Sequence, residues 1–116
     1  MRVKIDVEVP TLSPAVQAAT RGFVLSELHR VVYGYTLWID AVEVRVHRLG
    51  ADAVRPWRVE ARVTLTDGVH FAVSAQSPHP HHAIDDVVHG VWQRLHDGCP
   101  PASRPLPPMP PMPQVA

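Results

Sequence analysis

The sequence predicts an α+β domain with the element order β-α-β-β-β-α, folded as a four-stranded mixed sheet with both helices on one face. Three observations predict it: four segments alternate apolar and polar residues, two segments show helical apolar spacing, and each strand has a single apolar face. Because such strands need cover on one side only, both helices are expected there. The opposite sheet face is expected to be open and polar.

The first two elements are a strand over residues 2–9 and a helix that begins at Ser13-Pro14 and runs to about Val32. The hydroxyl before a proline is a typical helix start. The inward strand positions are Val3, Ile5, Val7 and Val9, and the predicted buried helix stripe is Val16, Ala19, Phe23, Leu28 and Val31 or Val32. Gly34 is expected to supply the backbone freedom that closes the helix.

Three further strands follow, around residues 40–48, 57–65 and 69–76. Their predicted inward residues are Val42, Val44 and Val46, then Trp57, Val59, Ala61, Val63 and Leu65, then Val69, Phe71, Val73 and Ala75. Face parity selects the last turn, because a two-residue loop would pair Leu65 with His70 and mix the faces. A three-residue loop with Gly68 in the left-handed region pairs Leu65 with Val69 instead.

The last element is a helix from about residue 81 to 96. Its apolar residues recur at helical spacing: Ala83, Ile84, Val87, Val88, Val91, Trp92 and Leu95. Strands one and two, joined through a helix, are expected to be parallel, and the later strands antiparallel. Two helices on one face of such a sheet give a shape related to that of double-stranded RNA-binding domains.

Composition divides the 116-residue chain into a folded domain, 1–98, and a proline-rich tail, 99–116. The tail is expected to be an extended, solvated segment; a passive extension is favoured over a segment that a groove recognises. Eleven basic and eleven acidic residues exclude a strongly basic nucleic-acid binder. The single cysteine, Cys99, excludes a disulfide framework. With no membrane span or signal peptide in view, a cytoplasmic protein is expected.

The C-terminal block carries a resemblance to a known family. It runs from Val69-His70-Phe71-Ala72-Val73-Ser74 into Ala83-Ile84-Asp85 and on to Val91-Trp92-Gln93-Arg94-Leu95, and Arg58-Val59-Glu60-Ala61 also fits. With the element order, these segments resemble the short ribosome hibernation factors, namely hibernation-promoting factor and ribosome-associated inhibitor A. The resemblance covers about residues 1–96.

The resemblance implies a protein that binds the small ribosomal subunit and its rRNA, occupies the channel used by messenger and transfer RNA, and inhibits translation. Such a protein is not an enzyme, and neither a cofactor, a metal nor a small-molecule substrate is expected. The expected phosphate contacts are Lys and Arg side chains. Five lie on the open sheet face (Arg2, Lys4, Arg45, Arg58 and Arg62) and three on the helices (Arg21, Arg30 and Arg94).

Other interpretations of these residues stay open. One antiparallel register places Arg45 opposite Glu60 and Glu43 opposite Arg62, which is a surface charge ladder without an RNA role. The domain would then be a protein-interaction or regulatory module without ribosome binding. Weak self-association is also left open.

The histidines and aromatic residues raise separate hypotheses. His79, His81 and His82, with His70, could hold a metal, although a solvated loop is the favoured interpretation. Protonation of all eight histidines would raise the affinity for RNA below about pH 6.5. Tyr33 or Tyr35 could stack on a base, but packing in the core or a turn is favoured.

Overall fold

The computed structural model describes residues 1–50 and 52–98, and the element order is the one that the sequence predicts. The elements are β1 (Arg2–Glu8), α1 (Pro14–Val32), a 3₁₀ turn (Tyr33–Tyr35), β2 (Ile39–Arg48), β3 (Trp57–Leu65), β4 (His70–Ser77) and α2 (Pro80–Gly98). The proposed tail, with Cys99, lies outside the described residues, so the division at residue 98 stays a prediction.

The four strands form one mixed sheet in the order β1-β2-β3-β4. β1 and β2 are parallel, with Val3 beside Val42, while β2–β3 and β3–β4 are antiparallel. This is the predicted topology, and it follows from the α1 crossover between β1 and β2 and the short connections afterwards. One end of the sheet therefore holds the start of β2 and the β3–β4 turn, and the other end holds the β2–β3 loop.

Both helices cover the same face of the sheet, and the core lies between them and the strands. Leu28 of α1, Val46 and Val59 of the sheet and Ile84 of α2 are fully buried there. The predicted apolar positions of α2 are all buried except Trp92, which packs partly against the core. No helix among the described residues is both long and apolar enough to cross a membrane.

The predicted stripe of α1 is wrong in its first half. Val16 and Ala19 are exposed, and Val24, which the prediction left out, is buried with Leu28, Val31 and Val32. The first turns of α1 lie against the β1–α1 connection, where the Gln17 side-chain amide donates to the carbonyls of Val9 and Leu12. Full burial against the sheet and α2 therefore begins at Val24 rather than at Val16, about two turns later than periodicity alone indicates.

Local hydrogen bonding determines where α1 begins, whereas packing determines how it ends. The Ser13 hydroxyl accepts a hydrogen bond from the Val16 N–H at 3.2 Å and Pro14 opens the helix, as predicted. The helix closes differently from the prediction, because it tightens into the 3₁₀ turn and Gly34 has no positive φ. Among the described residues, only Gly68 has one, at 92°.

The β3–β4 turn is the three-residue loop that face parity predicts. The Leu65 N–H donates to the Val69 carbonyl at 2.8 Å, and the Gly68 N–H donates to the Leu65 carbonyl at 3.0 Å. The left-handed conformation of Gly68 supplies the φ that this loop needs. Val69, however, is 56% exposed rather than inward, because it belongs to the turn and the buried face of β4 begins at Phe71.

Candidate nucleic-acid interface

The open face of the sheet carries charged side chains in rows that run across the strands. The registers give three such rows: Lys4, Glu43, Arg62 and Ala72; then Asp6, Arg45, Glu60 and Ser74; then Glu8, His47, Arg58 and Gln76. Charges alternate in sign along the first two rows, and the register that places Arg45 opposite Glu60 and Arg62 opposite Glu43 is confirmed. In every row β4 contributes a small or neutral residue.

Three of the five predicted cations on this face are held by carboxylates. Arg2 lies 3.2 Å from Asp40, at the edge of the sheet. The Lys4 ammonium lies 3.8 Å from Glu43 and 3.9 Å from Asp6, and the Arg58 guanidinium lies 3.2 Å from Glu60. Such exposed pairs contribute about 0–1 kcal/mol each, so a phosphate can compete for these cations at small cost.

Arg45 and Arg62 are different, because both guanidinium groups are exposed and neither is in an ion pair with any residue in 1–50 or 52–98. They lie diagonally across β2 and β3, since Arg45 faces Glu60 and Arg62 faces Glu43. Diagonal neighbours of this kind are about 7–8 Å apart at the backbone. A guanidinium group offers a planar fork of donors that suits phosphate oxygens, so these two cations are the ones best placed to contact a nucleic-acid strand.

A shallow depression of about 230 Å³ lies beside these arginines. Arg45, Arg58 and Arg62 line it together with Glu43 and Glu60, and Ala72 and Ser74 border it on the β4 side. A second depression of about 380 Å³ adjoins it and shares Glu43 and Arg62. The small residues of β4 make room beside the cations, which strand periodicity alone did not indicate.

The three predicted helix cations are on the covered side of the sheet, away from this face. Arg21 donates from Nε to the Ile5 carbonyl at 3.4 Å, at the β1 edge. Arg30 pairs with Glu27 at 3.3 Å on α1, and the Arg94 guanidinium lies over the Phe71 ring, 4.7 Å from its centroid, at the β4 edge. The structure thus brings five of the eight predicted residues together and separates the other three from them.

Strand alternation placed His47 on this face, but sequence reasoning did not single it out as a candidate site residue. Its Nδ1 lies 3.8 Å from Glu8 and its Nε2 lies 3.8 Å from Glu60, while Arg58 stands opposite on β3. Its side chain is 29% exposed, and Nε2 is buried with no hydrogen-bond partner among the described residues. Protonation would place a positive charge between two carboxylates. Only the fold places Glu8 of β1 beside His47 of β2 in parallel register, and this pairing identifies His47 as part of the charged surface.

The remaining histidines make ring contacts. His81 stacks on Phe23 with 4.3 Å between ring centroids, and His79 meets His82 edge-on at 5.2 Å. Within the described part of the chain no three His, Cys, Asp or Glu side chains are grouped so that they could hold a metal ion. Tyr35 is buried, as core packing requires, whereas Tyr33 is 76% exposed.

Comparison with known proteins finds no match to the sequence but finds matches to the fold. Neither a protein-family model nor a curated protein matches the sequence. Solved structures do match: a ribosomal subunit interface protein from Coxiella burnetii has a TM-score of 0.65 at 20% identity, covering 84% of this chain and 97% of its own. The Protein Y N-terminal domain from Thermus thermophilus has a TM-score of 0.65 at 19% identity, covering 85% of this chain and 100% of its own.

The chain has the fold of the ribosomal subunit interface proteins. Both matches extend over almost the whole of the other chain, so the likeness concerns the complete β-α-β-β-β-α domain. The resemblance to the hibernation factors that the C-terminal block suggested is therefore confirmed at the level of the fold. The open sheet face of this chain carries the rows of alternating charge described above.

Proposed function

We propose that this protein is a ribosome hibernation factor that binds the small ribosomal subunit through rRNA contacts and inhibits translation. The single observation that carries the proposal is the structural match to a ribosomal subunit interface protein, which covers 84% of this chain and 97% of the other. A cytoplasmic location follows from that partner, and no catalytic step is involved.

The contact surface in this proposal is the open sheet face around Arg45 and Arg62. The three charged rows and Arg2 supply five cationic and four acidic side chains, so attraction to RNA depends on local placement rather than on net charge. Arg45 and Arg62 can bind a phosphate without breaking an existing ion pair. Arg58, Lys4 and Arg2 can then exchange a carboxylate for a phosphate at small cost.

Inhibition of translation would follow from occupancy of the ribosomal channel by the protein. A domain with extents of 47 × 31 × 24 Å that is bound where messenger and transfer RNA pass would exclude both ligands by its volume alone. Because this mechanism needs no catalytic step, the inhibition of translation should follow the fraction of ribosomes to which the protein is bound.

Sedimentation with purified 30S and 70S ribosomes at low salt tests the proposal. The wild-type protein is expected in the ribosomal fractions, and an Arg45→Ala/Arg62→Ala variant is expected to remain largely at the top of the gradient. Each lost phosphate contact lowers the slope of log K against log salt concentration by about 0.7–0.9. Addition of Arg58→Ala should reduce binding further, and inhibition of translation in vitro should fall in parallel.

The matched control is Arg48→Ala/Arg55→Ala, which removes the same two charges away from the open face. Arg48 packs over Trp57 with 5.3 Å to the ring centroid, and Arg55 lies in the β2–β3 loop. This control should sediment like the wild type. Equal loss in both double variants would mean that only total charge matters and would contradict the assigned surface.

The charge ladder favours a second candidate, a domain of the same fold that acts as a protein-interaction or regulatory module. In that case Glu43 and Glu60 would hold the face neutral against RNA. Absence of the folded wild-type protein from both 30S and 70S fractions at low salt would select this alternative.

A further inference from the structure

The two edge strands of the sheet, β1 and β4, differ in how they are protected. An edge strand presents unpaired backbone groups, and proteins protect such edges with charged side chains, prolines, bulges or a covering side chain. β1 alternates charged residues along its length, and Arg21 covers its edge by donating to the Ile5 carbonyl. Residues 70–77 of β4, which are described throughout, include no Lys, Arg, Asp, Glu or proline and no register shift.

The register shows which backbone groups of β4 point away from the sheet. Leu65 and Val69 form a hydrogen-bonded pair, and such pairs alternate with non-hydrogen-bonded pairs along an antiparallel ladder. The odd-numbered residues from 71 to 75 therefore bond to β3, whereas the even-numbered residues from 70 to 76 direct their N–H and C=O groups outward. Within 1–50 and 52–98 these outward groups have no hydrogen-bond partner. We call this row of backbone groups the β4 edge.

Helix α2 runs beside the β4 edge in the opposite direction to β4. Its Gly90 lies against Val73, and the Arg94 guanidinium lies over the Phe71 ring. Asp86 is exposed and stands one turn before Gly90, as Arg94 stands one turn after it. Four helical residues rise about 6 Å and two strand residues about 6.6 Å, so Asp86 is level with residue 75. Opposite charges therefore lie at equal distances on either side of Gly90.

We infer that the β4 edge pairs with the β4 edge of a second copy of this chain, antiparallel and with a two-fold axis at Val73. This register places Ala72 opposite the partner's Ser74 and residue 70 opposite residue 76 of the partner, so every outward N–H and C=O group from 70 to 76 gains a partner. Val73 and Ala75, which are only partly buried in one copy, become covered. The two four-stranded sheets become one sheet of eight strands.

Charge complementarity on α2 identifies a second copy, rather than an unrelated strand, as the occupant. Because α2 packs over both β3 and β4, the two-fold axis sets the two α2 helices side by side and antiparallel, about two strand spacings or roughly 10 Å apart. That is an ordinary distance between packed helices. Asp86 then faces the partner's Arg94, and Arg94 faces the partner's Asp86. The inference goes beyond ribosome binding, because both open sheet faces stay uncovered on one side of the joined sheet.

Sedimentation equilibrium of the complete chain tests the inference without a ribosome, in reducing buffer so that Cys99 cannot link two copies. The wild-type mass should rise from 12.8 kDa towards twice that value as the protein concentration approaches about 1 mM, a range that detects even millimolar affinity. Ala72→Lys/Ser74→Lys places like charges opposite each other in two cross-strand pairs and should weaken association about tenfold. The matched control, Ala19→Lys/Ser26→Lys, adds the same charges at exposed positions of α1 and should associate like the wild type.

A charge exchange on α2 tests the register independently. Arg94→Asp sets two carboxylates opposite each other at both ends of the helix pair and should weaken association, whereas Asp86→Arg/Arg94→Asp restores opposite charges and should recover it. Recovery excludes a damaged fold as the cause of the first effect. A wild-type mass that stays at 12.8 kDa at about 1 mM would overturn the inference. So would equal association of the wild type and Ala72→Lys/Ser74→Lys, or no recovery in the exchanged variant.

Discussion

Gly90 of α2 lies directly against Val73 of β4: a Cβ on Gly90 would come within 2.6 Å of Val73 Cγ1. The absence of a side chain at this position lets α2 approach the sheet closely. The contact explains why a residue of low helix propensity stands in the middle of an otherwise regular helix.

Substitution at Gly90 should therefore destabilise the fold. Gly90→Ala gains about 1 kcal/mol of helix propensity but overpacks a stiff β-branched neighbour, at a cost of about 1–3 kcal/mol. We expect a net loss of about 1 kcal/mol in the free energy of unfolding, measured in urea. Val73→Ala in the same chain should recover part of that loss by removing the clash.

Gly22 provides the matched control, because it stands inside α1 with no atom within 4 Å of the position that a Cβ would take. Gly22→Ala should stabilise the protein by about 0.5–1 kcal/mol. If Gly90→Ala and Gly22→Ala raise the free energy of unfolding equally, the close contact of Gly90 with Val73 is contradicted.

Glu27 should make stability fall as pH rises. Burial raises the pKa of Glu27 above its ordinary 4.5, and Arg30 acts in the opposite direction. The Asp85 carboxylate adds to the rise, because it accepts a hydrogen bond from protonated Glu27 and its negative charge disfavours a second carboxylate. The folded state thus keeps a proton that the unfolded chain has already released. The stabilising effect is complete below about pH 4.5 and is lost as pH rises through the folded-state pKa.

Glu27→Gln should remove this dependence, because the amide stays neutral at every pH. Relative to wild type, the variant should gain stability at about pH 7 and show little difference near pH 4, as measured by urea unfolding. Asp86→Asn, on the exposed side of α2, changes the same formal charge and should not reproduce this pattern. A constant difference between Glu27→Gln and wild type over the whole range would contradict the assigned cause.

Removal of the acidic residues beside the free arginines should strengthen RNA binding. Glu43→Gln/Glu60→Gln keeps the side-chain shapes and removes two negative charges next to Arg45 and Arg62. The affinity for ribosomes should rise several-fold at low salt and less at high salt, because screening acts over about 10 Å at 0.1 M. Sedimentation over a salt series measures both effects.

The control for that experiment is Asp86→Asn/Asp97→Asn, which removes two negative charges from exposed positions on α2. A comparable gain in this variant would show that net charge rather than the charged rows governs binding. The loss of cross-strand pairs in Glu43→Gln/Glu60→Gln should lower stability by no more than about 1 kcal/mol per pair.

The parts of the candidate surface that depend on local contacts could be predicted from the sequence. Strand parity and the three-residue turn predicted the β3–β4 pairing. Arg45 opposite Glu60 was one of the registers that the sequence allowed, and the structure adopts it. The register of Glu8 with His47 could not be obtained in this way, because a helix of 19 residues separates the two strands and leaves their offset free. For the same reason the sequence could not indicate which face of α1 becomes buried.

The sequence by itself determined the order of the elements, the apolar face of each strand and the balance of charge, because these depend on periods of two and 3.6 residues and on composition. Only the tertiary structure decided which charges meet in rows, which leaves Arg45 and Arg62 without ion pairs among the described residues and places His47 between two carboxylates. It also brought the end of α2 beside Tyr35. These contacts join residues distant in sequence, and the packing of both helices on the sheet sets their distances.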